Sequence, residues 1–194
     1  MRDFRFATSR RSLLLAAAAI LVLSVPLVAA SKTAPAPATQ NLDETQLHLA
    51  KKIRHELLML PYYSVFDNLQ FSLEGDHTVI LSGQTIRPTT KSGAENVVRR
   101  IEGVDKVINN IEVLPLSPFD NGIRRAEYRA IYSQPGMYIY RNQPIPPIHI
   151  IVKNGHVTLV GVVANTMDKT LAGIAANSVP NVFSVTNDLM VEKG

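Results

Sequence analysis

One stretch of this chain occurs twice. Val79-Ile80-Leu81-Ser82-Gly83 has a counterpart in Val157-Thr158-Leu159-Val160-Gly161. Val104-Asp105-Lys106-Val107-Ile108-Asn109 has one in Val182-Phe183-Ser184-Val185-Thr186-Asn187, and Ile111 and Val113 match Leu189 and Val191. A single offset of 78 residues relates every pair, with no gap between 79 and 113. Chance does not hold a glycine, an asparagine and a set of aliphatic positions in one register over that length, so the chain is a tandem duplication. Whatever the first copy folds into, the second must fold into as well.

Each copy carries the same run of local signals. In the first, Asn41, Asp43 and Glu44 supply the short polar cap and early acids that suit a helix start. Leu49, Ile53, Leu57 and Leu60 recur at helical spacing until Pro61. Leu69, Phe71 and Leu73 alternate, as do Val79, Leu81 and Gly83, and Gly75-Asp76-His77 turns between them, which predicts a hairpin. Ala94, Val97, Val98 and Ile101 form a second helical stripe, and Val107 to Leu114 a third strand. In the second copy Asp120 or Asn121 is the expected cap of a helix through Tyr132. Ile148, Ile150 and Val152 pair with Val157, Leu159 and Gly161 around Asn154-Gly155, both of which tolerate positive φ. Leu171, Ile174 and Ala175 mark its second helix, and Val185 to Val191 its last strand.

The expected architecture is α+β. Two tandem α-β-β-α-β modules each form a three-stranded mixed sheet with two helices on one face. A right-handed crossover sets the second and third strands parallel. Gly83 and Gly161, near the ends of their strands, read as close approaches of helix to sheet. The connection Pro115–Gly122 is short and contains two prolines, which predicts restricted motion between the modules.

Residues 1–30 have the zones of an export leader: Arg2 to Arg11 is cationic, Leu13 to Leu23 is apolar, and Val28-Ala29-Ala30 is a small-residue cleavage site. The apolar run is short for a hydrocarbon core of about 30 Å, so cleavage after Ala30 is preferred to an uncleaved anchor. No transmembrane segment is then expected in the remainder. Arg10-Arg11 also resembles a twin-arginine signal, and general secretion is preferred. Residues 31–40, rich in Ala, Pro and Thr, read as a disordered tether. The expected destination is the periplasm, with secretion as an alternative. Four of the 20 cations and one of the 16 acids lie in residues 1–30, leaving 16 against 15. The basicity thus belongs to the leader, and a nucleic-acid partner is not expected.

At the repeated residues the chain resembles the BON domain family, named for bacterial osmotically induced and nodulation proteins. The hallmark is "V-x-L-x-G" and then "G/N-V-x-x-V-x-N-x-I/L-x-V". Here these are Val79 to Gly83 with Gly103 to Val113, and Val157 to Gly161 with Asn181 to Val191. Gly83, Gly161, Gly103, Asn109 and Asn187 are the motif residues, and residues 41–116 and 117–194 are the two expected modules. The resemblance implies a non-enzymatic envelope protein associated with osmotic or envelope stress. Some members bind anionic phospholipid through the second module, and others act as periplasmic chaperones. This chain departs from the pattern at Asn181, which replaces a glycine, and in the extra stretch Arg141 to Pro147. It also has no cysteine, which excludes a lipidated N-terminal cysteine and thiolate chemistry.

No catalytic, cofactor or metal site is expected. His48 and His55 share a helix with Lys51, Lys52 and Arg54, whose field opposes a metal cation. No nucleophile elbow or glycine-rich phosphate loop occurs. Charge is more informative. Residues 43–116 carry 8 cations and 10 acids, and residues 117–194 carry 7 and 5. Arg124, Arg125 and Arg129 crowd one helix, followed by Tyr132, Met137, Tyr138 and Arg141. These seven residues are the candidate surface for an anionic phospholipid headgroup layer or an envelope partner, since cations beside amphipathic aromatics suit such a layer. Two plainer readings stand beside it: a solvated cationic face over packed tyrosines, and attraction between the oppositely charged modules. A soluble chaperone or adaptor is the alternative function, using the partly apolar outer sheet face at Ile151, Thr158 and Val160.

Overall fold

Leu49, Ile53 and Leu57 recur every four residues, and the helix they imply, α1, runs Glu44–Leu58 with those three side chains buried. The computed structural model describes residues 44–75 and 77–192. The leader, the tether and the helix start expected at Asn41 lie outside them. In the first module β1 (Asn68–Glu74) and β2 (Thr78–Thr85) form the expected antiparallel hairpin. Helix α2 (Pro88–Arg99) then crosses to a third strand parallel to β2. That strand is split into β3 (Lys106–Asn109) and β4 (Glu112–Val113), because the ladder lapses opposite Ser82 and Gly83. Val79 and Leu81 of β2 share one core with Leu49, Ile53 and Leu57 of α1 and with Ala94 and Val98 of α2, which places both helices on one face.

The second module repeats this order. Helix α3 (Pro118–Tyr132) and a short α4 (Tyr138–Arg141) precede β5 (Ile148–Lys153) and β6 (His156–Val163). Then follow α5 (Thr166–Asn177) and an unbroken β7 (Ser184–Val191), parallel to β6 over eight residue pairs. The added turn α4 runs into the extra stretch noted in the sequence, sharing Arg141 with it, and buries Tyr140. On α5, Ala172, Gly173, Ala175 and Ala176 face inward, whereas Ile174, expected in the core, is 63% exposed. Small residues let this helix lie close to the sheet and push the larger aliphatic outward.

The motif residues have readable causes, and they repeat. Asn109 donates from Nδ2 to the Lys91 carbonyl of α2 (3.0 Å) and accepts at Oδ1 from the Ile111 N–H (3.2 Å). Asn187 makes the same pair of bonds, to the Lys169 carbonyl of α5 (2.8 Å) and from the Leu189 N–H (3.3 Å). Each asparagine thus ties its strand to the crossover helix. Gly103 and Asn181 both sit at positive φ, +90° and +67°. Asparagine is the side chain that tolerates this region best, so the sequence departure at Asn181 preserves the turn. Gly83 and Gly161 correct an expectation. The backbone they let approach belongs to the neighbouring strand of the hairpin and not to a helix.

The modules meet beyond their covalent link. Asp67, fully buried, accepts from the Thr85 hydroxyl (2.7 Å), the Ile86 N–H (2.9 Å) and both the N–H and hydroxyl of Ser64 (2.9 Å each). The fixed loop delivers Val65 into the core of the second module, where its carbonyl accepts from the Ile150 N–H at 2.8 Å. Tyr63 packs on His149 with ring centroids 5.7 Å apart, and Lys153 pairs with Glu112 at 2.6 Å. Ile151, on the sheet face considered open to a partner, is only 6% exposed, and it lines a groove with Gln84, Glu112 and Leu114 of the first module. The outer face of the second sheet therefore carries the protein's own first module.

Candidate functional site: the outer face of the third helix

Ser117, with Pro118 at the first helical position, starts α3. Its hydroxyl oxygen accepts from the Asp120 N–H at 3.1 Å. This replaces the cap expected at Asp120 or Asn121, and it frees the Asp120 carboxylate for another task. Fully buried, that carboxylate accepts from the Asn154 and Gly155 N–H groups, both at 2.9 Å, and so holds the tip of the β5–β6 hairpin. We expect Asp120→Ala to cost about 2–4 kcal/mol, because it strands two N–H groups that now make charge-assisted bonds. Urea unfolding measures this loss, and amide exchange should rise first at Asn154 and Gly155.

The seven candidate surface residues divide into two groups. Arg124, Tyr132 and Met137 are interior, which corrects their assignment to a surface. Arg124 reaches under the hairpin, donating to Asn121 Oδ1 (2.7 Å) and to the Val152 carbonyl (2.6 Å). Burial lowers its pKa, and the charges of Asp120 and Asp67 oppose that shift. Tyr132 donates to the Ile148 carbonyl at 2.7 Å, and desolvation pushes its hydroxyl pKa upward. Met137 belongs to the second core. The periodicity misled here because the inward stripe of α3 is Asp120, Ile123, Arg124, Glu127 and Ile131, three of them ionisable side chains.

Arg125, Arg129, Tyr138 and Arg141 remain exposed. Arg125 and Arg129, one turn apart, flank Tyr128 in a groove of about 320 Å³ completed by Val65 and Phe66. The Phe66 and Tyr128 rings pack edge to face with centroids 6.4 Å apart, and Tyr128 lies 4.8 Å from Tyr132. Among the described residues the ion pairs are His77–Asp105, Glu95–Arg99 and Glu112–Lys153, so neither arginine has a carboxylate partner. The arrangement is an apolar floor between two unpaired cations. Sequence reading missed that Val65 and Phe66 form half of it. They follow Pro61 in a run with no helical or alternating pattern, and only the Asp67 network shows where they go.

Among the described residues no helix is long and apolar enough to cross a membrane, and no group of three potential ligands is placed to hold a metal ion.

These features define a duplicated α+β protein whose two α-β-β-α-β modules share an interface. The model of the BON domain family matches residues 46–115 and 139–193, and the chain belongs to that family. The family is non-catalytic and associated with the cell envelope. Two solved structures of CdsD, a structural protein of the type III secretion system of Chlamydia trachomatis, are similar to this chain. One, of the C-terminal domain, has 12% identity and a TM-score of 0.27, covering 76% of this chain and 99% of that one. The other has 13% identity and a TM-score of 0.28, covering 75% and 94%. No curated protein matches the chain.

Proposed function

We propose that this is a non-enzymatic periplasmic protein whose second module binds an anionic phospholipid surface weakly and electrostatically, in a role tied to envelope or osmotic stress. In this reading residues 1–30 are a cleaved leader, residues 31–40 a tether, and residues 41–116 and 117–194 the two modules. The observation that carries it is the groove of Arg125, Tyr128 and Arg129 over Val65 and Phe66. Surface cations contribute about 1 kcal/mol each near an anionic leaflet, and aromatic side chains suit the headgroup boundary. Exposed Tyr138 and Arg141 are the further members of the proposed surface.

Co-sedimentation of residues 31–194 with anionic and neutral vesicles tests this. Binding is expected on anionic vesicles only, and it should fade as salt shortens the screening length. The double reversal Arg125→Glu, Arg129→Glu should weaken it by about a hundredfold, taking two cations at about 1 kcal/mol each and adding repulsion. Unchanged binding in the double variant would overturn the assignment. No binding of the unaltered protein under any condition would favour a protein partner instead.

A further inference from the structure

Between the modules, away from Arg125 and Arg129, lies a second groove of about 420 Å³. Arg54 and Leu58 of α1 and Phe71 of β1 line one side, and His149, Val162 and Met190 of the second sheet line the other. Burial of one sheet face against the first module is incomplete here. Leu58, Val162 and Met190 are left 38%, 39% and 64% exposed, all on the same groove. No acidic residue lines it, and Arg54 is exposed without a carboxylate partner among the described residues. His149 Nδ1 is shut off from solvent and has no hydrogen-bond partner. Desolvation lowers the pKa of this ring, and the Asp67 and Ser64 backbone and the Asp67 charge oppose that shift.

The groove joins one guanidinium fork to the polar side chains of Tyr63, Asn68 and Gln70 and to a strip of uncovered aliphatic and thioether surface. Volume in this range and a position at a module interface are those of small-molecule sites. A single guanidinium matches one carboxylate in charge and in its pair of parallel donors, and the strip matches an unbranched chain. We propose that this groove binds a single-chain carboxylate amphiphile, with the headgroup on Arg54 and the chain along Leu58, Val162 and Met190. The site is independent of the vesicle-binding reading, since it shares no residue with the Arg125–Arg129 groove.

The test is a titration of the two-module chain with sodium decanoate below its micelle concentration, read by amide and methionine methyl chemical shifts. Saturation at one equivalent is expected, with shifts centred on Arg54, His149, Val162 and Met190. Decanol and decyltrimethylammonium should bind at least about tenfold more weakly, as should decanoate to Arg54→Gln and to Val162→Glu. Both altered positions are exposed, and unchanged thermal unfolding would show that the variants fold. Arg125→Glu, Arg129→Glu should leave decanoate binding intact, and Arg54→Gln should leave vesicle binding intact, so the two readings fail separately. Non-saturating shifts, shifts centred elsewhere, equal affinity for decanol, or no loss in Arg54→Gln would overturn the proposal.

Discussion

Glu127→Leu should stabilise the protein by about 3–5 kcal/mol at pH 9 and by much less at pH 4, since a shift of one pKa unit corresponds to about 1.4 kcal/mol. Glu127 is 0% exposed, and neither carboxylate oxygen has a hydrogen-bond partner. Burial alone pushes its pKa from 4.5 up to about 8. The folded state therefore holds this proton to higher pH than the unfolded chain does. Below pH 4.5 the carboxyl is neutral in both states and the shift costs nothing. Between pH 4.5 and about 8 the unfolded chain gains by ionising while the folded chain does not, so stability falls as pH rises. Above that the full penalty is in place. The first module supplies the model for the replacement: α1 and α3 are both 15 residues long, and aligned end to end they set Glu127 over Ile53, an aliphatic side chain buried in the first core. Urea unfolding of both proteins at several pH values measures the difference. The gap between them should widen steadily from pH 4.5 to 8. A constant gap would mean that Glu127 is charged, or has found a partner, throughout. Exchanging a buried carboxyl for an aliphatic side chain of similar size is a change that cores accept.

The same position shows what sequence reading reached and where it stopped. The duplication made the strand order, the hairpin registers and the helix positions legible, because apolar spacing and turn residues agreed with each other in two copies. Leu69 opposite Gly83, and His149 opposite Val160, stand as the alternation requires. The candidate surface was half legible. A helical stripe is read by its apolar members, and α3 turns two acids and an arginine inward. Arg124 was therefore grouped with Arg125 and Arg129, although it lies under the hairpin. In the structure Ile123, Glu127 and Ile131 take the places of Leu49, Ile53 and Leu57, and the extra stretch Arg141 to Pro147 breaks the 78-residue register before it reaches these helices. No sequence signal existed for Val65 and Phe66. Their place depends on four hydrogen bonds to Asp67 and on a second sheet some 80 residues away in the sequence.

Gly161→Ala should be among the most damaging single substitutions available to this chain, and Gly83→Ala its equal in the first module. At Gly161 the backbone has φ +130°, and a Cβ there would lie 1.8 Å from the Pro147 carbonyl oxygen. At Gly83 the values are +101° and 1.9 Å, to the Asn68 carbonyl oxygen. Neither obstacle is the movable end of a side chain. Each is the carbonyl just before the residue that pairs with the glycine, or the neighbouring residue of the facing strand, so relief requires the hairpin to open. Overlap of that size and an unfavourable φ together set a cost above about 4 kcal/mol, in the range reserved for core disruption and special backbone positions. Gly122→Ala is the control. It lies within α3 with ordinary φ and open space around the new methyl group, and should be neutral or stabilising by up to about 1 kcal/mol. Thermal and urea unfolding of the three variants reads these effects. A loss below about 1 kcal/mol at Gly161 would mean that the hairpin can separate there without losing its pairing, which Pro147, Ile148 and the Val65–Ile150 bond argue against. Because Val65 of the first module is packed into the second core, Gly161→Ala should also raise amide exchange at Ile150, where the two modules are joined.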